Sequence, residues 1–97
     1  MMQSVYRFYI GGDENGVVDL DKVKKVAAEM FPVGCIVATG IGIWKGQTEG
    51  CATITVMREA LYDEPFEAAA VSLANEFNQD YVMLEHYVAD VTFVWRR

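Results

Sequence analysis

The sequence predicts an α+β fold in which a four-stranded antiparallel sheet carries two helices on one face. Two segments place apolar residues at helical spacing, and four others alternate or run apolar as strands do. Along the chain these segments follow the order strand, helix, strand, strand, helix, strand. With 97 residues there is no room for a second core, so residues 1–97 are expected to form a single α+β domain.

The first predicted strand is YRFYI, residues 6–10, and it ends at the loop GGDENG. Side chains alternate along a strand, so its even-numbered apolar residues lie on one face, and Arg7 and Tyr9 lie on the other. A helix is then predicted from the cap residue Asp19 to Phe31, because its apolar residues recur at helical spacing and Pro32 follows it.

The segments GCIVATGIGIWKG and EGCATITVMRE are the second and third predicted strands, joined by a turn near residues 46–49. A turn centred on Gln47 and Thr48 predicts three cross-strand pairs: Trp44 with Cys51, Gly42 with Thr53, and Gly40 with Thr55. In this register Cys35 lies far from Cys51, so both cysteines are expected to be free thiols.

The second helix is predicted to begin at a cap on Asp63 or Glu64, with Pro65 in its first turn and Asn78 at its end. With one strand still to follow, the element order is that of the ferredoxin-like βαββαβ plait, in which both helices cover the same face of the sheet.

The last predicted strand is too long for a small domain. From Tyr81 to Trp95 it would extend about 50 Å. We therefore expect it either to bend near Ala89 and Asp90 or to join the sheet of another copy. The apolar content of 53% is high for a domain with so much surface, and it also predicts that the protein associates with itself as a homodimer or higher oligomer.

The sheet face that the helices leave uncovered is the predicted ligand-binding surface. Two glycines leave a bare strip on it, threonine hydroxyls line that strip, aromatic rings surround it, and an arginine could neutralise an anion. Its predicted residues are Arg7, Tyr9, Gly40, Gly42, Trp44, Thr53, Thr55 and Tyr87. The last strand contributes either the set Met83, Glu85 and Tyr87, which we prefer, or the alternate set. The same face could instead pack against a second copy, and both uses stay open.

Charge and composition exclude several classes of function. The chain has 8 basic and 14 acidic residues, a net charge of −6, which disfavours binding to a nucleic acid backbone. No segment is apolar enough for a membrane span, and no signal peptide is apparent, so a cytoplasmic protein is expected. His86 is the single histidine, and no metal-ligand spacing or phosphate-binding loop occurs; we expect no metal and no cofactor.

Three stretches, YRFYIGG, GIGIWKGQTEG and LANEFNQDYVMLE, resemble a group of small uncharacterised phage and prophage proteins. That group has a Tyr-x-Phe-Tyr-Ile-Gly first strand, a Gly-x-Trp/Tyr-Lys hairpin, and a second helix that ends in an Asn-Gln or Gly-Gln step. The resemblance implies a phage setting in the cytoplasm of a host cell, where small acidic non-enzymes often counter host defence.

Three functions are compatible with these observations. The first is a non-catalytic binding protein that counters host defence by sequestering a small nucleotide-like signal on the uncovered face. The second is an inhibitor that binds a host defence protein directly through its acidic surface. The third, ranked last, is a cofactor-free enzyme in a dimeric α+β barrel, whose polar candidates Tyr6, His86 and Asp90 are not predicted to converge.

Overall fold

A computed structural model of the protein describes residues 1–59 and 65–97. The four strands form one antiparallel sheet in the order β2-β3-β1-β4. This architecture confirms the predicted α+β, ferredoxin-like fold with βαββαβ order. The elements are β1 Met2–Gly11, α1 Leu20–Met30, β2 Ile36–Trp44, β3 Gln47–Glu59, α2 Phe66–Glu76 and β4 Met83–Asp90.

The core lies between the helices and the two central strands, β1 and β3. Phe8 and Ile10 of β1 are fully buried beside Ile54 of β3, and Val23 and Leu73 close the core from the two helices. Burying one such side chain contributes about 1.5–3 kcal/mol. The even-numbered face of the first strand is therefore the helix side, as the alternation predicts.

The first helix forms as predicted. The Asp19 side chain accepts a hydrogen bond from the backbone N–H of Lys22 at 3.1 Å, which satisfies a donor that the first turn leaves without a helical partner. Phe31 is the C-terminal cap residue.

The second helix begins at Phe66, directly after Pro65, which makes no side-chain capping bond. The predicted caps Asp63 and Glu64 lie outside the described residues. Beyond the C-cap residue Phe77, Asn78 has a φ of 51°, in the left-handed region where asparagine is well tolerated.

The predicted hairpin register is wrong by four residues. The turn lies at Lys45 and Gly46, whose φ angles are 49° and 77°, and Trp44 pairs with Gln47. Two consecutive residues with positive φ are typical of the tight two-residue turn that suits the twist of a hairpin. Because the shift is an even number of residues, every side chain stays on its predicted face.

Two isoleucines of β2 lie on the face opposite the predicted ligand-binding residues Gly40, Gly42 and Trp44, but they are not in the core. Ile41 and Ile43 lie on the helix side, yet they are 74% and 68% exposed. The physical reason is that β2 is an edge strand that meets the core near its start, at Val37, whereas Ile41 and Ile43 lie further along it, towards the hairpin turn.

The last strand ends at Asp90, where it pairs with Met2, so the long segment from Tyr81 to Trp95 does not continue in this sheet beyond Asp90. Residues 91–97 follow it as an irregular segment that is largely exposed. The predicted break near Ala89 and Asp90 is confirmed.

Cys35 and Cys51 are free thiols, as predicted. Among the described residues, neither helix is long and apolar enough to span a bilayer.

Replacing the cap of α1 should weaken the fold measurably. We expect Asp19→Ala to lower the free energy of unfolding by about 1 kcal/mol, because the N–H of Lys22 loses its acceptor. Urea denaturation followed by circular dichroism measures this change. Asp19→Asn keeps a side-chain oxygen and should stay close to the wild type; equal losses in both variants would contradict the capping role.

Candidate functional site

A polar cluster occupies the middle of the uncovered sheet face, centred on Arg7. The register places Arg7 between Thr55 of β3 and Glu85 of β4. Its Nε donates to Thr55 Oγ1 at 3.2 Å, and its Nη1 donates to Glu85 Oε1 at 3.0 Å. Its Nη2 donates to the hydroxyl of Tyr87 at 3.3 Å. A single arginine on the central strand thus connects both neighbouring strands.

Tyr9 completes the cluster from two residues further along β1. Its hydroxyl donates to Glu85 Oε1 at 2.9 Å, so one carboxylate oxygen accepts from both Arg7 and Tyr9. Charge-assisted hydrogen bonds of this kind orient a carboxylate firmly. We call Arg7, Tyr9, Thr55, Glu85 and Tyr87 the Arg7 cluster.

The Arg7 cluster is accessible to solvent. The side chains of Arg7 and Glu85 are 31% and 44% exposed, and the guanidinium carbon lies 5.9 Å from the ring centroid of Tyr87. The hydroxyl groups of Tyr9 and Tyr87 raise the pKa of Arg7 above its usual value. Arg7 is therefore a permanent cation beside a carboxylate that a ligand can reach.

A cavity of about 250 Å³ adjoins the cluster and shares Tyr9 with it. Its walls combine aromatic and sulfur-containing side chains with two carboxylates and with residues of the loop that precedes β4. The lining residues are Tyr9, Ile10, Gly11, Trp44, Glu49, Cys51, Gln79, Asp80, Tyr81 and Met83. A cavity with apolar walls and a few polar groups at its rim suits a small organic ligand.

The two glycines of β2 differ in their surroundings. A Cβ atom added to Gly42 would lie 2.8 Å from Nε1 of Trp44, so the indole ring itself covers this part of the predicted bare strip. A Cβ atom added to Gly40 would lie 3.5 Å from the sulfur of Cys51, an ordinary contact. Close approach of a ligand to Gly42 would require Trp44 to move.

The eight predicted ligand-binding residues lie on one face but in separate groups. Arg7, Tyr9, Thr55 and Tyr87 belong to the Arg7 cluster, and Trp44 lines the same cavity as Tyr9. The other three residues make no polar contact with the cluster: Thr53 lies between Tyr9 and Ala38, Gly40 opposite Cys51, and Gly42 opposite Glu49. The threonines therefore do not line the glycine strip, which is a consequence of the shifted hairpin register.

Glu85 is the central acceptor that the list of predicted binding residues lacks. The preferred face assignment already placed it beside Tyr87, and its position opposite Arg7 follows from the β1–β4 register. Complementary charge across neighbouring strands is the signal that would have found it. Gln79, Asp80 and Tyr81 come from a loop, whose path strand alternation does not predict.

The three polar residues considered as candidates for an enzyme site, Tyr6, His86 and Asp90, lie outside the Arg7 cluster. Tyr6 stacks against His86, with ring centroids 4.3 Å apart, and against Phe66 at 3.7 Å on the helix side. Two of the three candidates therefore meet, contrary to the prediction. Asp90 does not join them, because it pairs with the amino group of Met1 at 3.2 Å.

Similar solved structures share the fold over nearly the whole chain. A phage SAM lyase in complex with S-methyl-5′-thioadenosine matches with a TM-score of 0.66 and 17% identity, covering 98% of this chain and 93% of that chain. A phage SAM lyase in the apo state matches with a TM-score of 0.55 and 19% identity, covering 97% and 92%. At these identities the similarity shows a common fold. No protein-family model and no curated protein sequence matches the chain.

This finding corrects the functional expectation. The predictions of a non-catalytic protein that sequesters a nucleotide-like signal, and of a protein that is not an enzyme, are wrong, because the similar structures are lyases. The alternative hypothesis of an enzyme fits better, although its three polar candidates Tyr6, His86 and Asp90 do not form one cluster. The similar structures are phage proteins, which agrees with the phage resemblance.

We expect the ion pair between Arg7 and Glu85 to contribute little to stability. The variants Arg7→Gln and Glu85→Gln, with their double variant, should give a coupling energy of about 0.2–1 kcal/mol in a double-mutant cycle, because water screens both partners. Urea denaturation measures the cycle. The exposed pair Asp21 and Lys24, at 3.4 Å on α1, is the matched control. A coupling energy several times that of the control pair would contradict the solvent-exposed character of the cluster.

Proposed function

We propose that this protein is an enzyme that cleaves S-adenosylmethionine (SAM) at the uncovered face of its sheet, as a lyase. The observation that carries the proposal is the Glu85 carboxylate, held by Arg7 and Tyr9 and open to solvent beside an aromatic cavity. The fold that the chain shares with phage SAM lyases supports it.

The charge of the site suits a cationic substrate. SAM carries a sulfonium cation, and its amino-acid end carries an ammonium and a carboxylate. The donors of Arg7 are already bonded to Thr55, Glu85 and Tyr87, whereas the carboxylates Glu49 and Asp80 line the cavity. In a protein with a net charge of −6, these groups favour a sulfonium over a phosphate.

The cavity suits the remainder of the molecule. Tyr9, Trp44 and Tyr81 are among its walls, and aromatic rings can stack on adenine. Aromatic faces also attract a cation such as sulfonium. In the pose that we propose, adenine enters the cavity and the sulfonium group points towards Glu85, with Tyr9 between the two regions.

A lyase breaks the bond between the sulfonium sulfur and the four-carbon chain without adding water. The electron pair of that bond stays on sulfur, which becomes the neutral thioether of S-methyl-5′-thioadenosine. The carbon that has lost the sulfur needs a new electron pair, and the four-carbon fragment supplies it in one of two ways. Its own carboxylate closes on the carbon that lost sulfur, or a neighbouring carbon loses a proton to a base as a double bond forms. Neither route needs an oxidant, a metal or an external nucleophile.

The residues of the cluster have distinct roles in this chemistry. Glu85 lies where its negative charge can hold the sulfonium, and it is the group that would accept a proton in the second route. Tyr9 donates to the same oxygen and orients it. Arg7 is a positioning residue, because it fixes Glu85, Thr55 and Tyr87 without needing to touch the substrate.

The proposed activity would also be useful to a phage in its host cell. SAM is the methyl donor of many cellular enzymes, so a phage-encoded lyase in the host cytoplasm would deprive SAM-dependent systems of their substrate. This proposal requires catalytic turnover, in contrast to stoichiometric sequestration of a signal.

Incubation of the purified protein with SAM tests the function directly. Liquid chromatography with mass spectrometry should show S-methyl-5′-thioadenosine appearing in an amount equal to the SAM lost, beyond one equivalent of protein. In water enriched in ¹⁸O, the products at the moment of cleavage should carry no label, because water is not a reactant. Absence of SAM loss, or cleavage only by hydrolysis, would contradict the proposal.

Two variants test the site. Glu85→Gln should lower kcat/KM about a hundredfold or more, and Tyr9→Phe about tenfold, the factor that the loss of one charge-assisted hydrogen bond represents. Glu29→Gln, on the exposed surface of α1, is the matched control and should keep wild-type activity. Equal activity in Glu85→Gln and Glu29→Gln would remove Glu85 from the site even if the protein cleaves SAM.

A further inference from the structure

The segment after β4 is an apolar tail without a partner in its own sheet. Backbone pairing with β1 stops where the N–H of Val91 donates to the carbonyl of Met1 at 2.9 Å. Within residues 1–59 and 65–97, no hydrogen bond to residues 92–97 occurs. Phe93 is 59% exposed, and Val94 and Trp95 are each 83% exposed. Three consecutive large apolar side chains thus face water.

The opposite edge of the sheet, at β2, also has an unpaired strand side and exposed apolar side chains. Strand β2 pairs with β3 on one side, and its other side is a sheet edge. Ile41 and Ile43 on this strand are among the most exposed apolar side chains of the described residues. Such an edge offers unpaired N–H and C=O groups together with apolar surface, which favours the addition of another strand.

We propose that the tail of one copy adds as a strand to the free edge of β2 in a second copy. Residues two apart in a strand lie on the same face. Phe93 and Trp95 therefore share a face and a spacing with Ile41 and Ile43. Aromatic and β-branched residues form favourable cross-strand pairs, and main-chain hydrogen bonds to the edge strand supply the rest of the contact.

The length of the tail agrees with its addition along the edge of β2. An extended strand of six residues, such as 92–97, is about 20 Å long, and the nine residues of β2 span about 30 Å. The tail fits along the edge without extending past it. It contains no proline or glycine, and its residues Thr92, Phe93, Val94 and Trp95 are all of types that favour strands.

Charge also favours a second copy as the partner. The tail carries Arg96 and Arg97, and without these two positive charges the net charge of −6 for the whole chain becomes −8. A basic, aromatic tail is therefore attracted to the acidic body of another copy.

The positions of the tail and of the β2 edge within one copy decide the type of assembly. The tail leaves from β4 at one edge, whereas β2 is at the other edge, with β1 and β3 between them. The two surfaces are different, so copies join head to tail, and such contacts close into a ring when the rotation between neighbours permits.

Light scattering coupled to size-exclusion chromatography, over a wide range of protein concentration, is the first test. The wild type should be an oligomer. A chain that ends at Val91, and the double variant Ile41→Lys/Ile43→Lys, should both be monomers. Val71→Lys is the matched control, because Val71 is 62% exposed on α2, away from both surfaces, and it should stay oligomeric.

A peptide test separates the contact from effects on folding. A fluorescein-labelled peptide of residues 90–97, DVTFVWRR, should raise its anisotropy with the chain that ends at Val91. It should not do so with the same chain carrying Ile41→Lys/Ile43→Lys, nor should a peptide with Phe93→Ser/Trp95→Ser bind. Circular dichroism verifies that each protein variant is folded.

Three outcomes would overturn the proposal. A wild type that is monomeric at every concentration shows that the tail has no partner copy. An oligomer that survives removal of residues 92–97 assigns the interface to another surface, such as the uncovered sheet face. Failure of the peptide to bind the folded, shortened chain shows that the edge of β2 is not the acceptor.

Discussion

Side-chain alternation on the central strand β1 is the constraint on which this structure depends. The strand pairs with β3 on one side and β4 on the other, so it cannot shift without breaking both sets of hydrogen bonds. Its even-numbered residues Phe8 and Ile10 enter the core. Its odd-numbered residues Arg7 and Tyr9 are then held on the opposite face, where they meet Glu85. The hydrophobic core and the polar site therefore lie on the two opposite faces of one strand.

This arrangement explains why an acidic protein keeps an arginine in the centre of its exposed face. Arg7 makes its hydrogen bonds within the sheet, to Thr55, Glu85 and Tyr87. Its charge organises a carboxylate and two phenols, and it does not stand free to capture an anion. An ordered carboxylate beside aromatic walls suits a cation such as a sulfonium better than it suits a phosphate. The phage SAM lyases that resemble this chain share its fold.

The protein also exposes several large apolar side chains outside its core. Ile41 and Ile43 are uncovered near the turn end of the edge strand β2. The tail after β4 leaves Phe93 and Trp95 uncovered at the other end of the sheet. A small domain has too little interior for all these groups, and the association between copies proposed above would bury them. Donating the tail to a neighbour would satisfy both regions at once.

The sequence by itself determined the element order, the helix side of each strand, the N-terminal cap at Asp19, and the shared face of Arg7, Tyr9 and Trp44. These features follow from local periodicity and from the chemistry of single residues, which act over a few positions of the chain. Tertiary structure decided the hairpin register and the loop that brings Tyr81 to the cavity. It also decided the hydrogen bonds that make Glu85 the centre of the site. Those features depend on which strands become neighbours and how far each extends, and alternation with a period of two cannot distinguish registers that differ by an even number of residues.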